Sequence, residues 1–210
     1  MSPKKRNNKH LKKGNHSRGN PSRKPNPLVL IVCEGGETEP NYFTSIRQEK
    51  RLSGIIVKIV GTGSASKKLI EIARDLVSKE KYESVWCVFD CDDHQEIPQA
   101  FEMAKKNGFR IAFSNPSFEL WYLLHFEYYS ANIHRKKVKH KLNGHIKNNY
   151  NREYKKSMDM YPLILENQPE AIERARKLRQ FHDDNNRDER DNPSTSVDLL
   201  IEYLNNLSHK

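Results

Sequence analysis

The chain has 210 residues, 35% of them hydrophobic and 30% charged, with a mean hydropathy of −0.91 and a net charge of +10. This length suits one domain with appendages. No apolar run of about 18 residues occurs, so neither a membrane-spanning helix nor a secretory leader is expected, and three cysteines in such a chain predict reduced thiols in a cytoplasmic protein rather than a disulfide framework.

The positive charge is concentrated at the start. Residues 1–33 contain no Asp or Glu, and the remainder of the chain is nearly balanced. Residues 1–26 are rich in Lys, Arg, Asn, Ser, Gly and Pro. Such a composition buries too little apolar surface to offset chain entropy, so a disordered basic arm is predicted. It is either a solvated tail or a phosphate-contacting arm using Lys4, Lys5, Arg6, Lys12 and Lys13.

Residues 27–130 read as an α/β domain. Leu28 to Cys33 is a continuous apolar run, as in a strand buried on both faces of a parallel sheet. It ends in the turn-rich Glu34-Gly35-Gly36-Glu37-Thr38-Glu39-Pro40, before a helix carrying Tyr42, Phe43 and Ile46. A second strand covers 55–60. Gly61 to Ser64 turns the chain, and Leu69, Ile70, Ala73, Leu76 and Val77 mark one helical stripe. Lys67 follows without the second glycine of a P-loop, so ATP binding there is not expected. The third strand, Ser84 to Phe89, runs into Asp90-Cys91-Asp92-Asp93-His94. A helix from about Pro98 to Gly108 and a fourth strand, Phe109 to Phe113, complete a βαβαβαβ alternation. The predicted fold is therefore a mostly parallel four-stranded sheet flanked by helices.

Residues 131–210 are predicted to be a helical extension packed on that domain. Before it, Phe118 to Tyr129 is apolar nearly all round and predicts a buried helix. The run containing Lys136, Lys137 and Lys139 is charged almost all round as a helix. It is either a solvated face or a track for a nucleic-acid backbone. A long helix is expected over about 161–181. A last helix starts after Asn192-Pro193-Ser194-Thr195, with Thr195 and Asp198 in capping-box spacing. Asn-Pro-Ser occurs twice, at 115–117 and 192–194.

Ligands in open α/β sheets sit outside the carboxyl ends of the strands. Glu34 follows the first strand, and Asp90 and Asp92 end the third. If these strands are neighbours, three carboxylates converge, which calls for a cation or a shared proton. A hard cation such as Mg²⁺ or Mn²⁺ prefers such oxygens and also binds phosphate. The bland alternative is a solvated acidic loop. Glu37 and Glu39 are either further ligands or helix-N-terminal acids favoured by the dipole. Asp93 and His94 extend the cluster or are simply exposed. Either Ser114, Asn115 and Glu119 line the same site, or Ser114 and Asn115 are an ordinary helix start before Pro116. Cys33, Cys87, Cys91 and His94 lack a paired C-x-x-C, which makes zinc a weak alternative.

At these residues the sequence resembles the RloB-like family. The matching stretches are Val32 to Phe43, Trp86 to His94, Ser114 to Trp121 continuing through His125-Phe126, and Asn192 to Thr195. The resemblance implies a Toprim-type catalytic domain, the fold of topoisomerases, primases and the overcoming-lysogenization-defect nucleases. It implies an acid/base or metal-ligand role for Glu34 and metal binding by Asp90 and Asp92. It further implies a Mg²⁺-dependent nuclease of prokaryotic anti-phage defence, acting on DNA or RNA beside an ATPase partner. Separately from the resemblance, a homo-oligomer is also an expectation. The competing expectation is a non-catalytic nucleic-acid-binding or ATPase-partner subunit with a degenerate site. Position 91 is Cys, where the resemblance leads one to expect a basic or polar residue.

Overall fold

The computed structural model describes residues 27–59, 66–91, 96–188 and 190–208. The expected arm at 1–26, the turn at 61–64, and Asp92, Asp93 and His94 lie outside the described residues. Five strands form one sheet: β1 (Val29–Cys33), β2 (Ile55–Ile59), β3 (Ser84–Asp90), β4 (Arg110–Asn115) and β5 (Ser194–Thr195). Their order is β2-β1-β3-β4-β5, with the first four parallel and β5 antiparallel. The four predicted strands are all present, and the C-terminal segment adds a short fifth.

The apolar run of β1 is explained by its central place. Val29, Ile31 and Cys33 enter the core on one face, while Leu30 and Val32 enter the core on the other. This is the two-residue strand period with both faces covered. On the second face lie α2 (Ser66–Val77), through Leu69, Ile70 and Ala73, and α3 (Ile97–Lys106), through Ala100 and Ala104. The first face is covered by α1 (Thr38–Glu49), α4 (Glu119–Leu124), α5 (Arg135–Tyr150) and α8 (Val197–Ser208). Val197, Leu200, Ile201 and Leu204 of α8 pack into the same core as β1, so the C-terminal segment shares the sheet's core.

Three expected elements differ in detail. The helix after β4 ends at Leu124 instead of reaching Tyr129. The helix expected over 161–181 is broken into α6 (Tyr161–Ile164), a 3-10 turn (Leu165–Asn167) and α7 (Gln168–Asp184). Pro169 explains the break: it lacks an N–H, its ring would clash with the carbonyl four residues back, and it is tolerated only in the first turn of α7. In α8, the Thr195 hydroxyl accepts from the Val197 N–H at 3.3 Å, but Asp198 is turned away from a capping box. Its buried carboxylate instead meets Arg179 of α7 through two 2.7 Å hydrogen bonds.

The basic run is helical but not charged all round. Val138, Leu142 and Ile146 recur every four residues and are buried. Gly144 lies inside α5 on its exposed side, at a cost of roughly 0.5–1 kcal/mol relative to alanine. No helix among the described residues is long and apolar enough to cross a membrane.

Candidate functional site

β1 and β3 are hydrogen-bonded neighbours, with Cys33 opposite Val88. The Glu34 N–H continues this ladder by donating to the Val88 carbonyl at 3.0 Å. Asp90 ends β3 two residues beyond Val88. Glu34 and Asp90 therefore leave the same sheet edge on adjacent strands, and both line a cavity of about 360 Å³. One wall is the 34–39 loop, another is Phe118 and Glu119, and Arg135 and Lys156 supply positive charge.

Glu34, Glu39 and Glu119 are only 7%, 5% and 6% exposed. Each is held by a different part of the fold. Glu39 lies in the first turn of α1 and its carboxylate folds back over Gly35. A Cβ at Gly35 would stand 2.0 Å from Glu39 Oε2, so the close approach requires glycine. Burial pushes the Cys33 thiol above its ordinary pKa, and the nearby Glu39 carboxylate adds to that rise. Glu119 opens α4, and its Oε1 accepts the Tyr154 hydroxyl at 3.2 Å. Burial and the Glu119 carboxylate push the Tyr154 phenol up, so it remains a donor. The Tyr122 hydroxyl donates to the Thr38 carbonyl at 3.3 Å, and Trp121 Nε1 donates to the Tyr42 hydroxyl at 2.9 Å. These bonds lock α4 to α1 behind the cavity.

Glu37 lines the cavity at the N-terminal end of α1 and makes no side-chain cap bond. Ser114 and Asn115 have structural partners instead. Ser114 stands opposite Asp90 in the sheet; its hydroxyl pairs with that of Thr195 at 3.1 Å, and its carbonyl accepts the Cys91 N–H at 2.7 Å. Asn115 donates to the Arg190 carbonyl at 2.8 Å and accepts from Asn192 at 3.2 Å. The two Asn-Pro-Ser copies thus meet where β5 joins β4, with Asn115 registered on Ser194.

Cys33 and Cys87 enter opposite core faces, and burial pushes the Cys87 thiol up to about 12. They do not converge on one zinc site. Among the described residues, no group of three or more His, Cys, Asp and Glu side chains is arranged to hold a metal ion. Tyr154 and Lys156 were not singled out from the sequence. The one available signal was an aromatic residue, Tyr154, inside an otherwise polar stretch.

A search of curated proteins finds no match to this chain. A family model described as RloB-like protein matches residues 29–204, which takes in every strand of the sheet and the whole cavity wall. The chain belongs to the RloB-like family.

Proposed function

We propose that this chain is a divalent-metal-dependent phosphodiesterase that cuts nucleic acid with a Toprim-type site, in an anti-phage system with an ATPase partner. The observation that carries this reading is the meeting of Glu34 and Asp90 from adjacent strand ends in one cavity bordered by Arg135 and Lys156.

The donor chemistry fits Mg²⁺ or Mn²⁺. Such ions take one or two carboxylates and fill their remaining positions with water and phosphate oxygens. Glu34 and Asp90 provide two carboxylates, and Asp92 would add a third. The cation, when bound, would neutralise phosphate charge and make a water molecule more acidic. Arg135 and Lys156 bind and orient the phosphodiester. Water attacks phosphorus, its proton passes to a carboxylate of the cavity wall, and the bond to the departing oxygen breaks. Phe118 and the buried aromatic wall behind Glu119 limit water on the inner side.

The test uses purified chain with labelled DNA and RNA in Mg²⁺, in Mn²⁺ and in EDTA. Cleavage by the wild type in metal only, and its loss in Glu34→Ala/Asp90→Ala, is the expected result. Equal cleavage by both proteins overturns the proposal. Metal-independent binding without turnover would indicate a non-catalytic module.

A further inference from the structure

From Arg135 to Lys156 inclusive the chain carries nine Lys and Arg residues and a single acid, Glu153. Both ends of this segment reach the cavity, since Arg135 begins α5 and Lys156 lies beyond its end. The return is anchored. The Tyr154 N–H donates to Asn143 Oδ1 at 2.7 Å, its hydroxyl donates to Glu119, and Asn41 donates to the Ser157 carbonyl at 3.4 Å.

Val138, Leu142 and Ile146 face the core, so the opposite face of α5 presents Lys136, His140 and Gly144 at successive turns. Lys137 stands alongside and Lys147 lies farther along the same face, and all five residues are exposed. Lys141, on the flank, is engaged by Glu127 at 3.0 Å. Among the described residues Lys136, Lys137 and Lys147 make no ion pair.

Gly144 is an independent observation on this face. It sits in regular helix, and a Cβ built on it would meet nothing within 4 Å. Neither a left-handed backbone nor a packed neighbour among the described residues calls for glycine, although glycine weakens a helix. Bare backbone suits a place where another chain passes at close range.

We propose that the outer face of α5 is the track for the substrate's sugar–phosphate backbone, with Gly144 at the closest approach and Arg135 and Lys156 leading it into the cavity. This rests on reading the cavity as the phosphodiester site. An anionic membrane would also need an apolar face, which the exposed side of α5 lacks. An acidic protein would not explain why the basic segment closes on the carboxylate cavity at both ends. The 16 residues of α5 span about 24 Å, which covers about seven nucleotides of one B-form strand.

Fluorescence anisotropy in EDTA measures binding of the full chain to labelled single-stranded and duplex DNA and RNA over a salt series, separately from cleavage. In Lys136→Gln/Lys137→Gln/Lys147→Gln the slope of log K against log salt should fall by roughly 2–3. Gly144→Ala should raise Tm by about 2–4 °C yet weaken binding, and Gly144→Gln should weaken it further. An unchanged slope in the triple variant, alanine at 144 binding as tightly as glycine, or no binding by the wild type overturns the track. Cleavage in Mg²⁺ with an unchanged slope overturns the track alone. The expected slope and Gly144 effects without any cleavage support the track and overturn the proposed activity.

Discussion

Gly35 and Glu39 show how much of the cavity is decided by single atoms. The missing Cβ at 35 is the space occupied by the Glu39 carboxylate. Gly35→Ala should push that carboxylate out of its place in the cavity wall. The expected outcome is weaker Mn²⁺ binding by isothermal titration calorimetry, with stability in urea unfolding changed by less than about 1 kcal/mol, because the atoms in the way are the far end of a side chain that can swing aside. An unchanged Mn²⁺ affinity would show that Glu39 and its contact do not shape the site. The sequence made Glu34 and Asp90 legible because each directly ends an apolar strand. Glu39 was ambiguous because a helix dipole also favours an acid in the first turn. Tyr154 was hidden by distance, since its partner Glu119 lies 35 residues earlier and no local pattern links them.

At the scale of elements, α5 separates two kinds of legibility. Its helical character and basic charge can be read along the chain, but its buried stripe is only three residues among sixteen. That stripe nevertheless fixes which lysines face outward. Leu142 is fully buried, so Leu142→Ala should cost about 2–5 kcal/mol in chemical denaturation. The outward lysines should tolerate glutamine within about 0.5 kcal/mol. Equal costs at the two faces would show that α5 does not pack as described. The sheet repeats the lesson. Its four parallel strands are written as apolar runs, whereas β5 is two polar residues, Ser194 and Thr195. Its pairing depends on hydroxyl and amide contacts from β4, including Asn115 with Asn192. The repeated Asn-Pro-Ser was visible, but nothing local indicated that its copies would meet.

Across the whole molecule, the C-terminal segment and the sheet share one core, so strain at the junction is felt as global stability. His125 lies at that junction, just after α4 and 2% exposed. Its Nδ1 lies 2.9 Å from the Trp121 carbonyl, an acceptor only, so Nδ1 carries the proton of the neutral ring. Burial, reinforced by Arg174, holds the His125 pKa down at about 3, against an ordinary 6.5. Above pH 6.5 the ring is neutral in both folded and unfolded chains and costs nothing. As pH falls below 6.5 the unfolded chain takes up the proton first, so stability is lost progressively until the folded ring also protonates near pH 3. The limiting slope is about 1.4 kcal/mol per pH unit, or roughly 2–3 kcal/mol between pH 6.5 and 4.5. Asp188, held at about 2 chiefly by Arg190, loses its own contribution only as pH falls below 3.8, outside that window. Urea unfolding of the wild type and His125→Gln across pH 6.5 to 4.5 isolates the term, because the remaining titrating groups are common to both. The wild type should lose stability more steeply than the variant, and parallel curves would show that the buried imidazole is not what couples this fold to pH.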